Sequence, residues 1–208
     1  MNLNKINKFI VSLIIVVSAF TFNACRENSS SDIIPVSNAG QYLNLNTGSS
    51  WEYSADGSTN TTVVKVTDST KLAFTKNYKI FHSTTLGVTT SNYYTYKNGN
   101  YYLLIAKTAG GYEELIYLKD SSEVGKKWSA TVSPNGTSVV YNYEVKENGL
   151  TQTINGTTYT NVVHVKLTVP ISGYTADAYY APKVGLIKSD AITSGVTSIT
   201  ELKSYTLK

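Results

Sequence analysis

His82 and His164, with the carboxylates of Glu52, Asp68, Glu113, Glu114, Glu144 and Asp177, are the side chains whose types suit proton transfer in this 208-residue chain. Glycoside chemistry would need two carboxyls facing one substrate across about 5–10 Å. Glu113 and Glu114 do not supply that together, because neighbours in a strand point to opposite faces. The histidines sit four residues after Tyr78 and five after Tyr159. In regular strands that spacing places one on the tyrosine face and the other opposite, so they read as unrelated unless a bulge resets the count. There is no Gly-x-Ser-x-Gly elbow. No catalytic residue is assigned, and the expectation is a protein that is not an enzyme. With two His, one Cys and no clustered acids, a zinc or calcium site has too few ligands, so no metal and no cofactor is expected.

The other chemistry available is that of rings. The chain holds 17 Tyr and 2 Trp. Exposed aromatic planes stack on sugar rings or line a groove for an apolar ligand, since each ring joins an apolar face to a polar tip. The residues singled out for ligand binding are Trp51, Trp128, Tyr94 and Tyr180. Against that stands the plain alternative that consecutive tyrosines in a strand put one ring in the core and one on the surface.

The elements that must position these rings are strands. Short runs rich in Val, Ile, Thr and Tyr, punctuated by Gly and Asn, are expected at 50–55, 61–67, 78–85, 92–97, 101–107, 112–119, 138–146, 150–154, 158–169, 175–181, 186–189 and 198–207. Asn98-Gly99, Asn135-Gly136, Asn148-Gly149 and Asn155-Gly156 read as turns, because Asn-Gly accepts the positive φ of tight hairpins. In 159–169 the inward set is Tyr159, Val163, Val165, Leu167 and Val169, with Asn161 as its exception; Val162, His164 and Lys166 face out. Helical periodicity is almost absent, so parallel crossovers are excluded. The fold class is all-β, an antiparallel meander forming a sandwich or partly closed barrel.

Two stretches repeat in order: Gly-x-x-Trp at Gly48/Trp51 and at Gly125/Trp128, then YYTYKNG at 93–99 and YYAPKVG at 179–185. They suggest pseudo-repeats over about 42–116 and 117–207 inside one domain spanning 41–208.

The segment before that domain carries a different message. Lys5 and Lys8 precede an apolar stretch over 9–22 that ends just ahead of Cys25, the sole cysteine. Crossing a bilayer as a helix takes about 20 residues, so this shorter stretch fits a signal h-region better than a span. Residues 25–40, Ser-rich and polar, read as a flexible tether. From Cys25 onward 16 basic residues meet 14 acidic ones, and Arg26 is the only arginine. A near-neutral domain without guanidinium groups is a poor match for nucleic acid.

Residues 1–24, with Ala24 before Cys25, resemble a bacterial lipoprotein signal peptide. The resemblance implies diacylglyceryl attachment at Cys25 and anchoring to a membrane. In Gram-negative lipoproteins Arg26, rather than Asp, after the cysteine implies the outer membrane, on its periplasmic face or at the cell surface. Residues 154–167 (INGTTYTNVVHVKL) and 179–190 (YYAPKVGLIKSD) resemble exported Gram-negative proteins of the DUF3108 and TapB2 type, which implies an all-β cell-envelope domain and no reaction. The resulting expectation is a lipid-anchored, non-catalytic binding or structural module with a glycan, lipid or envelope-protein partner. The alternative is an envelope enzyme acting on glycans or lipids.

Overall fold

A computed structural model of the protein describes residues 42–120 and 123–208. The signal segment, Cys25 and the tether lie outside the described residues. The described chain forms twelve strands: β1 (Ser50–Ala55), β2 (Thr61–Ala73), β3 (Lys76–Thr85), β4 (Val88–Lys97), β5 (Asn100–Ala106), β6 (Tyr112–Lys119), β7 (Lys127–Val132), β8 (Val139–Ile154), β9 (Thr157–Val169), β10 (Tyr174–Ala181), β11 (Gly185–Thr193) and β12 (Val196–Thr206). One 3-10 turn, Pro170–Ser172, links β9 to β10.

All twelve join one antiparallel sheet in the order β6-β5-β4-β3-β2-β1-β12-β11-β10-β9-β8-β7. Each strand pairs with its sequence neighbour except at two places. At the first, β1 closes on β12 by a full ladder, Ser50 opposite Thr206 through Ala55 opposite Thr200. At the second, β6 and β7 face each other without a ladder and are joined by scattered bonds. The Trp128 indole N–H donates to the Ile116 carbonyl at 3.1 Å, the Ser133 amide donates to the Glu113 carboxylate, and the Thr108 amide donates to the Pro134 carbonyl at 2.7 Å. The sheet is therefore a nearly closed barrel with one side-chain seam.

A ring of twelve strands encloses more space than small side chains fill. The inner wall meets this with large ones in two abutting clusters. One is built on Tyr101, Leu103, Leu115, Tyr117, Tyr143 and Val165; the other on Trp51, Phe81, Ile154, Tyr159, Ile187 and Leu202. The entering segment helps to close one end. Tyr42 and Leu45 are each 1% exposed, and the Tyr42 amide donates to the Tyr101 hydroxyl at 2.7 Å. Gly185 makes room for it: with φ at 98°, an added Cβ there would meet the Tyr42 carbonyl oxygen at 3.2 Å. In the same turn Lys183 adopts the left-handed backbone itself, at φ 64°.

Three local expectations change. Where strands were expected at 138–146 and 150–154, Val139–Ile154 form the single strand β8, because Asn148-Gly149 sits inside it at a register shift between Glu147 and Leu150 instead of turning the chain. A strand at 127–132, KWSATV, was not expected; its burial is partial because it lies on the seam. In β9, Asn161 takes φ 56° where the β8–β9 register slips, and this resets the alternation. Val162, expected outside, is fully buried as a result.

Candidate functional site

The inner wall carries two kinds of buried tyrosine. Tyr42 and Tyr101, like Tyr78 on the outer face, are 0–1% exposed, whereas Tyr53, Tyr117, Tyr143 and Tyr174 keep 5–9% of their surface. Tyr94 and Tyr180, on the same face of β4 and β10, keep more still. The Tyr101 hydroxyl donates to Asp120 at 2.5 Å, and that of Tyr78 donates to Glu114. The Tyr53 hydroxyl reaches the Leu186 carbonyl at 3.0 Å. Those of Tyr94, Tyr117, Tyr143, Tyr174 and Tyr180 make no hydrogen bond to protein among the described residues.

These phenols, together with the bonded one of Tyr53, converge. Burial raises the pKa of Tyr53, Tyr94, Tyr117, Tyr143 and Tyr174 first, and repulsion from a charged Tyr180 adds to it in every one of the five. Tyr180 is itself raised by burial. In the packing, Tyr94 and Tyr180 lie against the cluster that holds Tyr117 and Tyr143, with the Tyr94 and Tyr117 centroids 5.5 Å apart, and Tyr53 and Tyr174 belong to the clusters beside it. No charged side chain contributes to the shift of any of these six. At neutral pH the cluster is a set of protonated O–H donors in an apolar frame, suited to an uncharged ligand that offers oxygen acceptors.

The four residues singled out for binding are divided by the structure. Tyr94 and Tyr180 belong to this cluster. Trp51, 3% exposed, has its indole N–H on the Val184 carbonyl at 2.6 Å and its ring stacked on Phe81. Trp128 stacks on Tyr143 with centroids 5.2 Å apart and reaches across the seam to Ile116. Tyr53, Tyr117, Tyr143 and Tyr174 were not among those singled out. They come from four different strands, and only the pairing of distant strands reveals the convergence.

The two histidines lie on the outer face. His82 is exposed on β3, and His164 lies on β9 with five strands between them, so they share no site. His164 is held instead by its neighbours: its Nε2 is 2.8 Å from Asp177, its Nδ1 lies 3.8 Å from Glu147, and its ring stacks on Tyr179 at 4.6 Å. Next to Tyr179, burial opposes the charge on Lys188, but the hydrogen bond to Asp190 at 3.0 Å and the charges of Asp190 and Glu201 outweigh it and raise its pKa. Glu113 and Glu114 point apart, the first to Ser133 on the seam and the second to Lys76 and Tyr78. Among the described residues no group of three His, Cys, Asp or Glu converges as a metal site.

Comparison with solved structures shows the fold. A protein from Bacteroides fragilis, described as exported and as having a YmcC-like fold, superposes with a TM-score of 0.52 at 12% identity, over 81% of this chain and 100% of its own. A protein from Parabacteroides distasonis, described as a lipoprotein, gives a TM-score of 0.45 at 13% identity, over 80% and 99%. No family model and no curated protein matches the sequence. The likeness to the DUF3108 and TapB2 groups therefore rests on the hairpin text alone.

Proposed function

We propose that the protein is a non-catalytic binding module of the bacterial outer membrane, anchored through acyl chains on Cys25, which takes an uncharged, oxygen-rich ligand among its inner-wall tyrosines. The observation that carries this is the set of phenols, those of Tyr94, Tyr117, Tyr143, Tyr174 and Tyr180, that gather on the inner wall and donate to no protein group among the described residues. A phenol that donates to no protein group is left free to donate to a ligand acceptor. A neutral glycan unit or the ester region of a lipid has the matching chemistry. Native mass spectrometry of protein extracted gently from its membrane should show a bound small molecule that is lost in Tyr94→Leu/Tyr180→Leu. A wild-type protein that carries none, and takes up neither neutral sugars nor lipids, would sink the reading. Labelling with a fatty-acid analogue, compared with Cys25→Ala, tests the anchor separately.

A second reading, an envelope enzyme acting on glycans or lipids, is favoured by one observation: His164 between Asp177 and Glu147. It requires turnover that disappears in His164→Gln with the fold intact.

A further inference from the structure

Antiparallel strands sort their connections between the two ends of the barrel, and charge is sorted with them. At the end where Tyr42 enters lie the connections at 74–75, 98–99, 155–156 and 182–184, the described residues 120 and 123–126 between β6 and β7, and the last residues, 207–208. Lys97, Lys119, Lys126, Lys127, Lys183 and Lys208 all stand in or beside them. The acids there are Asp120, which accepts from the hydroxyls of Tyr96 and Tyr101, and Glu123. Among the described residues none of these lysines but Lys127 has an ion-pair partner, and Lys127 has only a 4.0 Å contact with Glu144. The connections at the opposite end, 56–60, 86–87, 107–111, 133–138, 170–173 and 194–195, carry Asp56 and Lys107, and Lys107 pairs with Glu113 at 3.7 Å. The balanced charge of the whole chain conceals this polarity.

We infer that the lysine-rich end is a docking face for a bilayer surface bearing anionic headgroups. Two facts choose a membrane over other polyanions. The chain enters the domain at this end, and Cys25 lies 17 residues before Tyr42, so acyl chains there hold the face within about 60 Å of the lipid at full extension. The lysines also come from connections around the rim rather than from a groove, which suits a flat partner. Each lysine near an anionic surface contributes about 1 kcal/mol and is screened by salt. The tether would then hold the domain upright, lysine end down, with the seam at its side.

The inference rests on the tether reading, so its test uses a chain that begins at residue 25 and carries Cys25→Ser. That chain should sediment with phosphatidylcholine vesicles containing phosphatidylglycerol, should not sediment with phosphatidylcholine alone, and should be released by raised salt. Lys97→Gln/Lys183→Gln should weaken the association about fivefold per lysine, while Lys97→Arg/Lys183→Arg retains it and Lys107→Gln/Lys166→Gln leaves it unchanged. Binding to neither vesicle, equal binding to both, or equal loss from the two glutamine pairs would overturn it. Whether Cys25 is acylated is decided by labelling, so the two readings fail independently.

Discussion

The indole nitrogen of Trp128 donates to the carbonyl of Ile116 across 3.1 Å, at the one junction of the ring where neighbouring strands share no ladder. That junction is held by the side chains of Trp128 and Glu113 and by one backbone bond between loops, Thr108 to Pro134, so it is the weakest line in a sheet otherwise closed by backbone ladders. Trp128→Phe keeps a ring against Tyr143 but removes the donor. The loss should be about 1 kcal/mol. Hydrogen exchange should show it locally: amides of β6 and β7 should exchange faster while those of β1 and β12 keep their protection. Uniform acceleration would mean that the seam is no weaker than the rest.

The two kinds of buried tyrosine should respond differently to loss of the hydroxyl. Tyr101 donates to Asp120 and accepts from the Tyr42 amide, so Tyr101→Phe removes two buried hydrogen bonds at once. It should cost about 1–3 kcal/mol. The Tyr180 hydroxyl has no protein partner to lose, and Tyr180→Phe should lie within about 0.5 kcal/mol of wild type. Urea unfolding of ligand-free protein measures both. Equal costs would show that the Tyr180 hydroxyl is bonded within the protein and would remove the main support for an interior binding site.

Alkaline pH should unfold the domain steeply. Burial raises the phenols of Tyr53, Tyr94, Tyr117, Tyr143 and Tyr180 above their ordinary value, and Tyr93, with Tyr112 beside it, rises to about 12. In the unfolded chain each ionises near pH 10. Above that pH the folded state holds more protons than the unfolded one, so stability falls as pH rises. It is fully present below pH 10 and is lost through the folded pKa values. Tyrosinate absorbance should appear together with loss of β-sheet circular dichroism, in one transition. Tyrosinate forming ahead of unfolding would show that the phenols are open to water.

Much of the fold was legible because β-structure writes a local code. The runs at 50–55 and 112–119 became strands with those bounds, and Asn98-Gly99 and Asn155-Gly156 became turns. What failed has a common cause. Asn148-Gly149 satisfies the turn code yet lies inside β8, because the same positive φ that closes a hairpin also makes a bulge, and only the partner strand decides which. Lys127–Val132 escaped because a seam strand has one partner and weak alternation. The tyrosine cluster depends on strands far apart in sequence meeting across the barrel. A search for acids and histidines had no means of finding it.

Glu114, considered from sequence as an acid catalyst, is tied into the structure. Its carboxylate takes the Lys76 ammonium at 2.7 and 2.8 Å and the hydroxyl of Tyr78, which is fully buried. Lys76 also lies 4.2 Å over the Tyr102 ring. The β2–β3 hairpin is thereby pinned to the outer side of β5 and β6. Glu114→Gln keeps the shape but removes the charge, leaving a half-buried ammonium without its counter-ion, and should cost about 1–3 kcal/mol. Lys76→Met alone should cost less, since its aliphatic stem still covers Tyr102. In the double variant the losses should not add, because each single change already breaks the same bond. Additive losses in a thermal-unfolding cycle would instead assign Glu114 to Tyr78 alone and leave Lys76 a bystander.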